Sequence, residues 1–155
     1  MSDAADARPI AIIGIGSRFL GGVVDAESFW QLLANGVDAI TEFPADRFDI
    51  AAYHDERPAT PGKVMSKWGG FIQQRFDEFD AEFFGISRHY AERLDPQQRL
   101  LLETAWDALE DAGQDVPGLQ GSATGVFIGQ WLSDFEHRLF ADHAGIDFAA
   151  TLGSG

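Results

Sequence analysis

Apolar positions follow three rhythms along this chain, and each predicts a different element. Pro9 to Ile15 (PIAIIGI) and Thr124 to Gly129 (TGVFIG) are unbroken apolar runs without alternation. Such runs predict strands covered on both faces, as in the central sheet of an α/β fold, and the two are expected to share one sheet. A helical rhythm marks Asp95 to Gly113, where Leu101, Leu102, Ala105, Leu109 and Ala112 make one stripe. Asp95 suits the N-cap and Pro96 the first helical position, Gln98 stands where a capping-box partner belongs, and Gly113 supplies the stop. A shorter helix is predicted over Ser28 to Leu33, with Phe29, Trp30, Leu32 and Leu33 at helical spacing, Asp25 as cap and Gly36 as stop.

The remaining segments lack so clear a period. Residues 1 to 8 (MSDAADAR) read as a flexible lead. A Gly-rich turn, Gly14 to Gly22, follows the first run. Ala39 to Gly70 carries Pro44, Pro58, Pro61 and Gly62 and is expected to be mostly loop, laid over a larger body. From Trp68 to Gly85 acids alternate with Phe71, Phe76, Phe79, Phe83 and Phe84, a pattern that predicts short turns whose rings insert into a neighbouring surface. Gln130 to Ala150 reads as helical.

Charge narrows the partners. Twenty-five acids against 11 bases give a formal net charge of -14, the reverse of a nucleic-acid binder, and anionic membrane is equally disfavoured. The polar start and the brevity of the Ile10 to Ile15 run predict neither a signal peptide nor a membrane span, which places the chain in the cytoplasm. With 13 Phe and four Trp in 155 residues, a core is intended, although a chain of this size struggles to cover such a load. The chain holds no cysteine, so it has no disulfide, no thiolate metal ligand and no thiol nucleophile.

No other constellation replaces the missing thiol. Gly14, Gly16, Gly21 and Gly22 suggest a dinucleotide turn, yet the third glycine of G-x-G-x-x-G would fall at Phe19, so backbone turning is the better reading and an oxidoreductase ranks last. His54, His89, His137 and His143 form no i, i+4 pair; His137 and His143 near Asp134, Glu136 and Asp142 fit a solvated helix face better than a metal site. Ser17 and Ser87 lie outside any nucleophile elbow and read as turn or capping hydroxyls. The acid pairs Asp77/Glu78 and Glu110/Asp111 are expected to diverge on a helix rather than form an acid/base couple. No catalytic, cofactor-binding or metal-binding residue is therefore assigned.

Taken in order, PIAIIGIGSRFLGGV (9–23), FWQLLANGVDAITEFPADRFD (29–49), GKVMSKWGGFI (62–72), FDAEFFGIS (79–87), LDPQQRLLLETAWDALEDAG (94–113) and TGVFIG (124–129) resemble the opening of the β-ketoacyl synthase domain of type I modular polyketide and fatty-acid synthases. The resemblance covers nearly the whole chain from Pro9 onward and is most specific in D-P-Q-Q-R-L-L-L-E and F-F-G-I-S. It implies an α/β class, with 9–155 forming the N-terminal half of an incomplete thiolase-like fold of α-β-α-β-α layers. It further implies that the parent synthase carries out decarboxylative Claisen condensation on phosphopantetheine-linked acyl groups, as a homodimer served by an acyl carrier protein and the remainder of the synthase. The family's T-A-C-S-S, H-G-T-G-T and N-I-G-H motifs are placed beyond Gly155, so this chain alone is expected to be inactive. The alternative is a non-catalytic module docking on a carrier protein or synthase chain. Ser17 and Leu20 stand where members commonly have cysteine and proline.

Overall fold

The structure, a computed structural model, describes residues 9–75, 77–131 and 134–141. Helices α1 (Ala26–Ala34), α2 (Ile50–Tyr53), α3 (Arg88–Ala91), α4 (Pro96–Asp111) and α5 (Asp134–Phe140) alternate with loops and with one antiparallel pair, β1 (Ile40–Glu42) and β2 (Trp68–Gly70). The result is a partial α/β arrangement: a small sheet beside several helices.

Both well-signalled helices form because their ends are satisfied. At α1 the cap is reciprocal: Asp25 Oδ1 accepts from the Ser28 N–H at 2.7 Å, and Ser28 Oγ accepts from the Asp25 N–H at 3.1 Å. The Ser28 hydroxyl, donating to Asp25 Oδ1 at 2.6 Å, and with it the Ser28 N–H hold the Asp25 carboxyl below its usual range. At its other end Asn35 is the C-cap, and Gly36 turns away at φ 60°. In α4 Asp95, only 3% exposed, accepts from the Gln97 N–H at 2.7 Å while Pro96 fills the first turn. Gly113, at φ 62°, donates to Glu110 O at 2.8 Å, and Gln114 donates to Leu109 O at 2.9 Å, closing the carbonyl end.

The strand expectations need correction. Neither Pro9–Ile15 nor Thr124–Gly129 forms a strand, and no sheet joins them. A strand exists only through a hydrogen-bonded neighbour, and among the described residues none lies beside either run. Their side chains stand open: Ile10 is 96% exposed and Phe127 97%. The sheet instead arises inside the expected loop, in the register Ile40↔Gly70, Thr41↔Gly69 and Glu42↔Trp68. Lys67 Nζ ties across to Glu42 Oε1 at 2.6 Å. The α4 stripe is also only half covered: Leu101, Leu109 and Ala112 are partly buried, while Leu102 and Ala105 face out. Of the helix expected over Gln130 to Ala150, Asp134–Phe140 forms; residues 142–150 lie outside the described residues, as do the lead 1–8, Phe76 and 151–155.

Aromatic rings do much of the joining. Phe83 meets Trp106 edge-on at 4.6 Å, and Phe84 stacks on Phe79 at 5.3 Å, which docks the 79–84 turn on α4 as the phenylalanine pattern predicted. A second row, Phe71, Phe43, Phe48 and Tyr53, runs at successive centroid distances of 4.7, 5.4 and 4.9 Å and links the sheet to α2. Each ring pair contributes about 0.5–1.5 kcal/mol beyond its area. Even so, Val23, at 2% exposure, is the sole buried apolar residue among the described ones. None of the described aromatic rings is buried.

The loop after α2 closes on itself. Val64 N–H donates to Tyr53 O at 2.9 Å and Asp55 N–H to Val64 O at 3.1 Å, while Arg57 forks onto Asp55 with Nη2–Oδ2 at 2.7 Å and Nε–Oδ1 at 3.1 Å. Hydrogen bonds from the Arg57 side chain lower the Asp55 pKa from an ordinary 3.8 to about 2. A carboxyl whose folded pKa lies below its unfolded value stabilises the closed loop above that unfolded value and loses the contribution as pH falls through the folded one. Loop closure is therefore expected to weaken as the pH drops from 3.8 toward about 2. A carbon-detected NMR titration of Asp55 should show the low midpoint, and Arg57→Ala should raise it toward the ordinary range, the backbone N–H of residue 57 still donating to Asp55 Oδ1; an ordinary midpoint in the unsubstituted chain would refute the fork.

Candidate functional site

Residues 14–18 lie against α4. The two backbones touch so closely that a Cβ at Gly14 would sit 2.1 Å from Ala108 O and 2.8 Å from Ala112 Cβ, and one at Gly16 would sit 2.1 Å from Thr104 O. Between them the Ile15 N–H donates to Asp111 Oδ2 at 2.9 Å. Further along the segment, Arg18 Nη2 pairs with Asp107 Oδ2 at 2.6 Å, and Nη1 donates to Ser17 O at 2.9 Å and Val24 O at 2.8 Å. The first two glycines thus serve helix contact, while Gly21 and Gly22, at φ 78° and 80°, make the turn. Sequence reasoning took all four for turning and missed the α4 face that receives Gly14 and Gly16, formed by Thr104, Ala108 and Ala112, although small residues at i, i+4 and i+8 were its signal. It also missed the two acids, Asp107 and Asp111, that grip the segment.

Ser17 sits inside this junction at 7% exposure, and its Oγ is buried without a hydrogen-bond partner among the described residues. An unsatisfied buried hydroxyl costs about 1–3 kcal/mol, whereas a thiol or a methyl forgoes little. Ser17→Ala and Ser17→Cys are therefore expected to stabilise the junction by about 1 kcal/mol, read as slower hydrogen exchange at the Ile15 amide. Equal or faster exchange in both variants would show that the hydroxyl is satisfied in solution.

The other candidate side chains are dispersed. Ser87 caps α3, accepting from the Tyr90 N–H at 3.4 Å. His54 Nε2 contacts Met65 O at 3.1 Å, and His89 Nδ1 contacts Arg93 Nη1 at 3.2 Å. His137 lies exposed on α5, and His143 and Asp142 lie outside the described residues. Among the described residues no three His, Asp or Glu side chains converge on a metal-sized site, and no helix is long and apolar enough to cross a membrane. Glu110 and Asp111 diverge as expected, for Asp111 turns to Ile15. Asp77 and Glu78 do not: the chain is not helical there, and both approach Arg75, at 2.6 and 3.6 Å.

An open groove of about 890 Å³ runs between the 79–87 turn and α3, with Phe79, Ile86, Arg88, Glu92 and Arg99 on its walls. On one wall Arg88 Nε donates to Glu92 Oε1 at 2.8 Å. No nucleophile with an adjacent base stands in it, and such a pair is the minimum for covalent acyl transfer. What the described chain presents is a scaffold: a helix gripping its own amino-terminal run, and apolar segments left open on the outside.

Residues 7–152 match the family model described as "Beta-ketoacyl synthase, N-terminal domain". One component of the phenolphthiocerol/phthiocerol polyketide synthase of Mycobacterium tuberculosis is 47% identical over 148 residues, covering 96% of this chain and 8% of that protein. Polyketide synthase GfsB of Streptomyces halstedii is 49% identical over 145 residues, covering 93% of this chain and 3% of that one. Among solved structures, an oxazolomycin ketosynthase domain of Streptomyces albus superposes with a TM-score of 0.75 at 38% identity, over 81% of this chain and 21% of that one. The ketosynthase from module 6 of the bacillaene synthase of Bacillus subtilis 168 gives 0.73 at 30% identity, over 84% and 21%. The chain thus spans less than a tenth of these two curated relatives and about a fifth of each solved ketosynthase, which makes its α/β arrangement part of the thiolase-like fold the resemblance implied. Matched along nearly its whole length by sequence and by backbone, this chain belongs to the β-ketoacyl synthase N-terminal domain family.

Proposed function

We propose that these residues build the amino-terminal part of a ketosynthase that elongates acyl chains by decarboxylative Claisen condensation in polyketide or fatty-acid synthesis, and that the 155 residues alone do not catalyse it. The observation that carries this reading is the pair of apolar runs, Ile10–Ile15 and Val126–Ile128, left open in a member of this family. Strand-like sequence without a neighbouring strand is a face made to be covered. The chemistry agrees, because the condensation needs a thiolate to hold the acyl group as a thioester and donors for the oxyanion, and no cysteine occurs among the 155 residues.

In this reading no residue of the chain is catalytic, holds a cofactor or binds a metal. Its contribution is positional: α4 and the segment it grips form one wall on which the rest of the domain, carrying the thiol, is assembled. The substrates are acyl groups on the phosphopantetheine arm of a carrier protein. The partners are that carrier and the remainder of the synthase, in a homodimeric parent.

The test is direct. Supplied with acyl and malonyl thioesters on a carrier protein, the 155-residue polypeptide should give no β-ketoacyl product above the uncatalysed background. The same residues in place of the matching segment of a related ketosynthase should give a domain that condenses them. Product from the polypeptide alone would overturn the reading, and saturable binding of the isolated chain to phosphopantetheinylated carrier would favour an independent docking module.

A further inference from the structure

We draw no further inference here: the strongest candidate, the exposed apolar patch of Tyr53, Val64, Met65 and Trp68 beside the β1–β2 pair, carries nothing because no observation in the structure shows what covers it.

Discussion

Adding a single methyl group at Gly16 is expected to lift the amino-terminal run off α4. The backbone at Gly16 does not need a positive φ, so alanine fits its conformation and the effect comes from contact alone. A Cβ there would lie 2.1 Å from Thr104 O and 3.0 Å from Ala108 N, atoms of the helix backbone that cannot retreat without opening its hydrogen-bond ladder. The lighter element must move. When it does, the Ile15 to Asp111 bond and the Arg18 to Asp107 pair stretch with it. Arg18 is only 17% exposed in its side chain and Asp107 37%, so this pair is better shielded than an ordinary surface pair, and its loss adds to the overpacking cost of about 1–3 kcal/mol. A total near 3 kcal/mol corresponds to about a hundredfold faster exchange of the Ile15 amide in the 155-residue chain. Gly14→Ala should act alike, since it too meets helix backbone. Gly129, whose Cβ would find nothing within 4 Å, is the control, and Gly129→Ala should leave that amide unchanged. Equal protection in Gly16→Ala and Gly129→Ala would mean that the junction with α4 does not persist in solution.

The same junction shows what the sequence could and could not disclose. Helix α4 was legible to within a residue because its determinants are local: Asp95 and Pro96 at one end, Gly113 at the other, and a period between them. Helix α1 was legible for the same reason, from Asp25 and Gly36. The strands were not. PIAIIGI and TGVFIG have β-sheet composition, but pairing depends on a neighbour, and composition cannot report whether one is present. Conversely β1 and β2 are three residues each, too short for a period, and Gly69 and Gly70 disguise β2 as turn. Gly14 and Gly16 were visible as glycines, and Thr104, Ala108 and Ala112 as a face of small residues, yet spacing in one sequence does not say that the two meet. The absence of a catalytic assignment followed from the lack of cysteine together with glycine, histidine and serine spacings that match no catalytic motif. The gripping roles of Asp107 and Asp111 needed the tertiary placement of Arg18 and Ile15.

Replacing Ile12 and Phe127 together by glutamate should convert the isolated polypeptide from a self-associating species into one that sediments as a monomer. Phe127 is 97% exposed, Ile12 84%, Val126 78% and Ile10 96%. Burying one such side chain against another copy gains about 1.5–3 kcal/mol, and irregular chain with open backbone groups offers a template for pairing. Opposing this is the net charge of -14, which repels a second copy. That repulsion acts through solvent and fades beyond a Debye length of about 8 Å at physiological salt, whereas apolar contact acts where the surfaces meet. Contact should therefore win, and the association should strengthen as salt is raised, the reverse of a charge-driven complex. Two glutamates remove two anchors and add two repelling charges, so the concentration at which association sets in should rise at least about a hundredfold, given about 1.4 kcal/mol per factor of ten. Phe127→Leu, which keeps an apolar side chain, should still associate. A sharp cooperative melt with monomeric sedimentation of the unsubstituted chain, or association untouched by the double substitution, would show that the runs are covered from within. In a complete ketosynthase the same two glutamates should prevent folding, because the surface that makes the isolated chain associate is the one proposed to receive the rest of the domain.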